Sequence, residues 1–325
     1  MSELTNPGRS LGPTHLVLGA TGSIGYSVVE NLVGRGENVR VLVRAPSKVK
    51  DWSTGRVEVV KGDALNAENV AAASQGAASI FHCVNVPYQE WNSKVIPLLE
   101  NTIAAAKSNK AKIAFPGNVY VFGHVQTPTV GEDQPFAPHT AKGRLRVRME
   151  QMLDKAWKSE GVPYTVVRFP DFYGPHVLNP IYGQIFRNAL AGKSMRWYGR
   201  LDVPIEFSYI EDAAEALVTA DLSPTTDGET YHVPGSSVTT PKEWLGEVRS
   251  IAGSQSKIRT TPNSLVALAG IFNPLAREFR EMLYLKEERL ILDGTKFQTK
   301  FGRIPATPYS EGIKKTIDWF RSQHP

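Results

Sequence analysis

Short apolar runs alternate with amphipathic stretches through the first two thirds of the chain. Residues 14–18, 38–43, 57–61, 79–84, 112–115 and 164–168 are rich in Val, Ile, Leu and Phe and read as strands. Between several of them apolar residues recur at helical spacing, as Ile24, Val28, Val29 and Leu32 do within 23–33, and longer helical patterns cover 90–107 and 143–159. This alternation predicts an α/β fold, a doubly wound parallel sheet covered by helices on both faces. Ligands of such a sheet bind outside the carboxyl ends of its strands, where the loops after Ala20, Val43, Lys61, Val84, Phe115 and Phe169 converge.

The first strand runs into Gly19-Ala20-Thr21-Gly22-Ser23-Ile24-Gly25, which opens the first helix. Gly19 allows a tight turn, Gly22 lets backbone approach a pyrophosphate, and Gly25 permits close packing of helix on strand. The helix amino end, with Thr21, Ser23 and Ile24 around it, offers N–H donors to an anion. Strand, turn and helix in this order predict a dinucleotide site. The second strand ends in Arg44, with Lys48 close behind. An acid there would repel a 2′-phosphate, whereas Arg44 can pair with it, so NADP(H) is expected over NAD(H); a solvated surface arginine is the alternative. In Gly62-Asp63-Ala64, Asp63 is expected to accept from the adenine amine, or else to cap the next helix. Val84 and Asn85, at the end of the fourth strand, complete the expected cofactor contacts.

The 325 residues, 41% of them hydrophobic, suffice for one large domain plus a smaller lobe. We expect residues 1–178 to form the nucleotide-binding domain, with 205–234 returning to it. Residues 179–204 and 235–325 would form most of a C-terminal substrate lobe. The net charge of +5 is scattered except for Lys142, Arg144, Arg146 and Arg148. On a helix Lys142, Arg146 and Met149 share a face that Arg144 and Arg148 leave, so there is no basic stripe and nucleic acid is not an expected partner. The lone Cys83 rules out an internal disulfide and suits a reducing, cytoplasmic setting. Residues 1–13 lack the apolar centre of a signal peptide, and the longest apolar stretch, 265–272, is too short to span a bilayer. No His, Asp, Glu or Cys set has metal-ligand spacing, and no Gly-x-Ser-x-Gly elbow is present.

Three further segments stand in register behind the glycine turn. They are Arg168-Phe169-Pro170-Asp171-Phe172-Tyr173-Gly174-Pro175, then Phe207-Ser208-Tyr209-Ile210-Glu211-Asp212-Ala213-Ala214, then a tail from Leu292-Asp293-Gly294-Thr295-Lys296 to Asp318-Trp319-Phe320. Together they resemble the extended short-chain dehydrogenase/reductase superfamily, in particular its atypical NAD(P)-dependent epimerase/dehydratase-like branch, over almost the whole chain. The resemblance implies a Rossmann fold, with Pro170 and Phe172 closing over the nicotinamide. It implies a homodimer formed through the helices at 90–107 and 143–159.

In that superfamily a Ser or Thr after the fifth strand, a Tyr, and a Lys four residues later carry the chemistry. Here Asn118, or else Gly117, takes the hydroxyl position, while Lys142 and Arg146 stand where Tyr and Lys belong, followed by Glu150. Arg146 would hold the nicotinamide ribose. Lys142 would donate a proton if burial and the Arg146 charge lower its pKa, or would stabilise an oxyanion while charged; alternatively both only bind phosphate or ribose. Tyr120 is the other candidate acid. Tyr173 and His82 read as structural, and His124 and His139 flank the loop at 125–138, which could lie near the substrate.

Tyr182, Phe186, Trp197, Tyr198, Trp244, Phe272 and Tyr284 could line an apolar pocket, while Arg187, Lys193, Arg196 and Arg200 are too dispersed for a second diphosphate. The expected function is an NADP-dependent oxidoreductase moving hydride between nicotinamide and a small hydrophobic carbonyl, alcohol or activated alkene. The alternatives are a silent NADP(H)-binding sensor, and an epimerase or dehydratase that uses the cofactor transiently.

Overall fold

A computed structural model describes residues 12–46, 49, 52, 55–261, 265–266 and 274–323. Lys48, Phe272 and most of the apolar stretch at 265–272 lie outside the described residues. The first half runs β1 (Thr14–Leu18), α1 (Ser23–Gly34), β2 (Asn38–Val43), β3 (Val57–Lys61), α2 (Ala67–Ala73), β4 (Ala77–His82), α3 (Trp91–Asn109), β5 (Lys112–Asn118), α4 (Ala141–Glu160) and β6 (Tyr164–Phe169). Then come β7 (Asp171–Tyr173), α5 (Tyr182–Leu190), β8 (Met195–Tyr198), β9 (Phe207–Tyr209), α6 (Ile210–Leu222) and β10 (Glu229–His232). The remaining described elements are α7 (Pro241–Ile251), β11 (Ile258–Thr261), α8 (Pro274–Arg280), α9 (Thr295–Phe301) and α10 (Tyr309–Gln323).

Seven strands form one parallel sheet in the order β10-β6-β5-β4-β1-β2-β3. The α/β Rossmann expectation therefore holds. Because β2 and β4 lie on opposite sides of β1, the winding reverses there and a crevice opens at the carboxyl ends of β1 and β4. α1 and α6 bury their apolar faces in one core, and α2, α3 and α4 bury theirs in another across the sheet.

The fourth strand was expected at 79–84 but spans Ala77–His82, because Cys83 N–H turns back to Phe81 O at 3.0 Å and leads the chain out toward the crevice. The fifth runs beyond Phe115 to Asn118, because pairing with β6 continues through Pro116↔Val167 and Asn118↔Phe169. Pairing with β4 has already ended at Ala114, so Pro116 lacks no ladder partner on that side.

In the C-terminal part, β7 pairs with β9 and β8 with β11, both in parallel. Phe186, Trp197 and Trp244 are 1%, 0% and 0% exposed and pack with Tyr182 and Phe207. The aromatic residues expected to line an apolar pocket are thus largely core, since rings of this size give most when fully removed from water. No helix among the described residues is long and apolar enough to cross a membrane.

Candidate functional site

The glycine turn closes against the end of β4. Gly19 has φ +83°, and a Cβ there would lie 2.6 Å from Cys83 O and from Val84 N, so this backbone admits only glycine. A Cβ on Gly25 would lie 2.2 Å from Gly19 O, whereas one on Gly22 meets nothing closer than Gly19 O at 3.3 Å. Close packing explains Gly25; at Gly22 the space a Cβ would take is open apart from Gly19 O. No side chain caps α1, so the N–H groups of its first turn, at Ser23, Ile24 and Gly25, have no side-chain acceptor. Thr21 is exposed and Ser23 half-buried beside them, while Ile24 is buried.

Arg44 follows β2, is exposed and has no ion-pair partner among the described residues. Asp63 does not cap α2: Asn66 does, accepting from Asn69 N–H at 2.9 Å. One Asp63 oxygen accepts from Leu65 N–H at 3.0 Å and leaves the other available, while Ala64 O accepts from Asn101 at 2.9 Å. Val84 is half-buried; Asn85 is exposed and its side-chain oxygen accepts from Val86 N–H. Pro170 is buried, and Phe172 packs on Phe169 with centroids 5.6 Å apart.

α4 begins at Thr140, whose hydroxyl accepts from Gly143 N–H at 3.0 Å, and ends at Gly161 with φ +68°. Its inward face presents Lys142, Arg146 and Glu150. The Arg146 guanidinium lies over Trp91 at 4.9 Å and Phe115 at 5.7 Å. Among the described residues it has no hydrogen-bond or ion-pair partner, and its Nε is buried without one. Burial lowers its pKa from the usual value, with Tyr120 and Glu150 acting the other way. A cation left unpaired on two aromatic faces beside the crevice is suited to a polar ligand group.

Lys142 is only 2% exposed, and its surroundings differ from those expected. Its Nζ donates to Glu278 at 2.5 Å and Glu281 at 2.8 Å, and lies 5.1 Å over the Tyr88 ring. Burial opposes ionisation of Glu281, yet the bonds from Lys142 hold its carboxyl below the usual range. The ammonium is therefore committed to two carboxylates from the C-terminal part instead of facing Arg146, and the role of proton donor does not fit it.

Asn118 ends β5, and its side-chain oxygen accepts from Tyr120 N–H at 3.1 Å, which leaves the amide NH2 to donate. Tyr120 shares a 2.7 Å hydrogen bond between hydroxyls with Tyr88, a residue missed in the sequence. Burial pushes Tyr88 up to about 12 and Tyr120 well above its usual value. Beyond them Asp171 pairs with Lys286 and accepts from Tyr182 at 2.8 Å. Burial would raise the Asp171 pKa, but Lys286 and these bonds bring it below the usual value.

Other candidates lie elsewhere. His82 stacks on Phe115 and bonds Thr102 at 2.8 Å; burial, and then Arg146, lowers it to about 3. Tyr173 is fully buried in the aromatic core. His124 and His139 stack on each other at 4.0 Å on the surface beside Tyr284, with His124 on Glu288. Arg187 covers Phe320, Arg196 bonds Thr261 and Arg200 pairs with Asp202, so these cations form no cluster. Among the described residues no group of three His, Cys, Asp or Glu could hold a metal.

The family model described as the NAD dependent epimerase/dehydratase family matches residues 15–233. The UDP-N-acetyl-alpha-D-glucosaminuronate decarboxylase of Bacillus cytotoxicus is 26% identical, over 94% of this chain and 97% of its own length. A dTDP-glucose 4,6-dehydratase of Escherichia coli is 26% identical over 61% of this chain, a match spanning 52% of that protein. Among solved structures, the dTDP-glucose 4,6-dehydratase of Bacillus anthracis in complex with NAD superposes with a TM-score of 0.80 at 17% identity, covering 96% of this chain and 98% of that one.

Proposed function

The chain belongs to the NAD dependent epimerase/dehydratase family, and from that membership we propose that it binds a nicotinamide dinucleotide across the β1–β4 crevice and moves hydride at an oxygen-bearing carbon of a nucleotide sugar. The observations carrying this reading are a glycine cradle open at Gly22 after β1 and the unpartnered guanidinium of Arg146 over Trp91 and Phe115. The N–H groups at Ser23 and Ile24, with Thr21, take the diphosphate; Asp63 and Ala64 take the adenine; Val84 and Asn85 flank the middle of the cofactor. Arg146 holds the nicotinamide ribose, and Pro170 and Phe172 back the ring. When bound, the nicotinamide supplies the acceptor and donor of hydride. Asn118 donates its amide hydrogen to the reacting oxygen. Lys142 keeps Glu278 and Glu281 in place beside it.

The small hydrophobic carbonyl expected from composition loses its support, because the lobe aromatics that suggested it are largely core and the relatives are named for nucleotide sugars. A net epimerisation, dehydration or decarboxylation, in which hydride leaves and returns, is the favoured outcome. On the cofactor, the NAD in the solved relative favours NAD, while the unpaired Arg44 favours a 2′-phosphate and so NADP. Titration of wild type and Arg44→Ala with both dinucleotides decides: a tenfold NADP preference that Arg44→Ala abolishes supports NADP.

For the reaction, the protein loaded with dinucleotide is incubated with UDP- and dTDP-hexoses and UDP-hexuronates, and products are identified by NMR. A new sugar without net absorbance change of the nicotinamide supports the proposal. Reduced nicotinamide accumulating one per sugar converted favours the net oxidoreductase instead. Tight dinucleotide binding without any product favours the sensor.

A further inference from the structure

The geometry points to Tyr88 as the acid–base group of this site, with Tyr120 as its positioning residue, in the place that Lys142 leaves vacant; this rests on the hydride-transfer reading above. Tyr88 and Tyr120 sit on one-turn helices, Tyr88–Glu90 and Val119–Val121, that follow the neighbouring strands β4 and β5. Both side chains therefore stand at the carboxyl ends of the sheet beside the winding reversal, where ligands of this architecture lie. Both are half-buried, and their hydroxyls are 2.7 Å apart. The pair is bracketed by α4: Lys142 Nζ is 5.1 Å from the Tyr88 ring centre, and Arg146 lies over Trp91, which meets the Tyr88 ring edge-on at 5.2 Å.

Three neighbouring groups able to carry a proton are engaged elsewhere. Lys142 is held by Glu278 and Glu281, Tyr182 is bonded to Asp171 and Lys286, and His82 is buried against Thr102. Tyr88 and Tyr120 bond only to each other through their hydroxyls, so one of the two oxygens has capacity for a third partner.

The charged and titratable groups facing Tyr88 are Tyr120, Asp171, Arg146 and Glu281, with Lys142 over the ring. Burial raises both phenols, and either hydroxyl can donate across their shared bond. Tyr88, with the Lys142 cation over its ring, is assigned as the member that gives up its proton, and Tyr120 as the one that donates to the resulting oxygen. In the oxidising direction the Tyr88 phenolate takes the hydroxyl proton of the substrate as the carbon-bound hydrogen departs with its electron pair to the nicotinamide. In the returning direction hydride restores the C–H bond and Tyr88 O–H protonates the oxygen. Neither tyrosine is consumed and no further reactant is needed.

The test uses wild type, Tyr88→Phe, Tyr120→Phe and Lys142→Met, each with oxidised dinucleotide. Ultraviolet difference titration of the phenols, without any sugar, should show in wild type a high-pH transition for Tyr88, which burial pushes up to about 12; that transition should vanish in Tyr88→Phe and move to higher pH in Tyr120→Phe. On the sugar that wild type converts, Tyr88→Phe should lose roughly a hundredfold or more in kcat with KM and dinucleotide affinity within about twofold, the scale of a lost general acid–base group. Tyr120→Phe should shift the pH profile as it shifts the titration. A Tyr88→Phe protein that keeps the wild-type rate, or a Lys142→Met protein that alone collapses, overturns the assignment. A wild type that converts no sugar overturns the underlying reading and this assignment with it, which the active-wild-type outcomes do not.

Discussion

Glu281 holds Lys142 at both ends: its Oε1 accepts from the Lys142 backbone N–H at 2.9 Å and its Oε2 from Nζ at 2.8 Å. Glu278 adds a second carboxylate at 2.5 Å. The first turn of α4 is thereby fastened to α8 and the turn after it. Lys142, expected from the sequence to stand in for a tyrosine, serves here as a tether.

Lys142→Met removes that tether and leaves two carboxylates facing each other without a cation. Because Glu278 and Glu281 are 29% and 23% exposed, water relieves part of the cost, so we expect a loss of about 1–3 kcal/mol instead of the larger penalty of a fully buried pair. Limited proteolysis should cut near α8 faster than in wild type, while dinucleotide affinity stays unchanged. Unaltered cleavage and an unaltered urea midpoint would show that α8 is held by other contacts.

Among the described residues Arg168 and Glu150 form the most deeply buried ion pair, at 2.5 Å and with side chains 1% and 7% exposed. Arg168 also donates to His232 Nε2 at 2.7 Å, while His232 Nδ1–H donates to Val130 O, which ties the sheet edge to the loop crossing it. Burial, and then Arg168, lowers His232 to about 3, so it stays neutral and able to accept. Glu150→Gln or Arg168→Met alone should cost about 3–5 kcal/mol, since each strands a buried charge, and the double variant should be more stable than the sum of the two. Guanidinium denaturation of the four proteins measures the coupling; additive losses would contradict it.

The first half of the chain was legible because its signals are local. Apolar periodicity located β1, α1, β2 and β3, and Gly19, Gly22 and Gly25 fixed the turn between strand and helix within seven residues. The partners of Lys142 were not legible because they lie 136 and 139 residues further along the chain, and no local pattern marks a long-range ion pair. Composition could not tell whether Trp197 and Trp244 line a pocket or fill a core, since burial depends on which elements meet. Tyr88 sits in Val86-Pro87-Tyr88, a stretch without period; its one available signal was its place just past a strand end at the winding reversal.

Two buried carboxyls give the fold a dependence on pH. Glu206 accepts from Leu292 N–H at 2.8 Å and Gly235 N–H at 3.1 Å, and burial pushes it up to about 7; burial does the same to Asp221, with Ser79 and Lys112 acting against it. Both hold their protons in the folded chain to higher pH than in the unfolded chain, where the ordinary values are 4.5 and 3.8. Their stabilisation is thus complete below those values and lost as pH rises through about 7, on the order of 3 kcal/mol for Glu206 alone. Urea midpoints taken from pH 5 to 8 should fall with rising pH, and Glu206→Gln should flatten part of that slope. An equally steep slope in the variant would assign the dependence to other groups.

Gly22 and Gly25 separate the two uses of glycine in the turn. A Cβ at Gly25 would stand 2.2 Å from Gly19 O and 3.0 Å from Ala20 Cα, both backbone atoms, so Gly25→Ala must push α1 away from the turn. That should cost about 1–3 kcal/mol of stability and, by displacing the helix N–H groups, at least about tenfold in dinucleotide affinity. At Gly22 the nearest atom would be Gly19 O at 3.3 Å, a contact the chain absorbs with little movement. If a diphosphate passes there, Gly22→Ala should melt near the wild-type temperature yet bind NAD and NADP at least tenfold more weakly, because the new methyl stands where the ligand must approach. Fluorescence titration alongside thermal melting distinguishes the two variants. Wild-type affinity in a stable Gly22→Ala protein would mean that no ligand crosses the turn at that residue, and the cofactor path drawn from it would have to be abandoned.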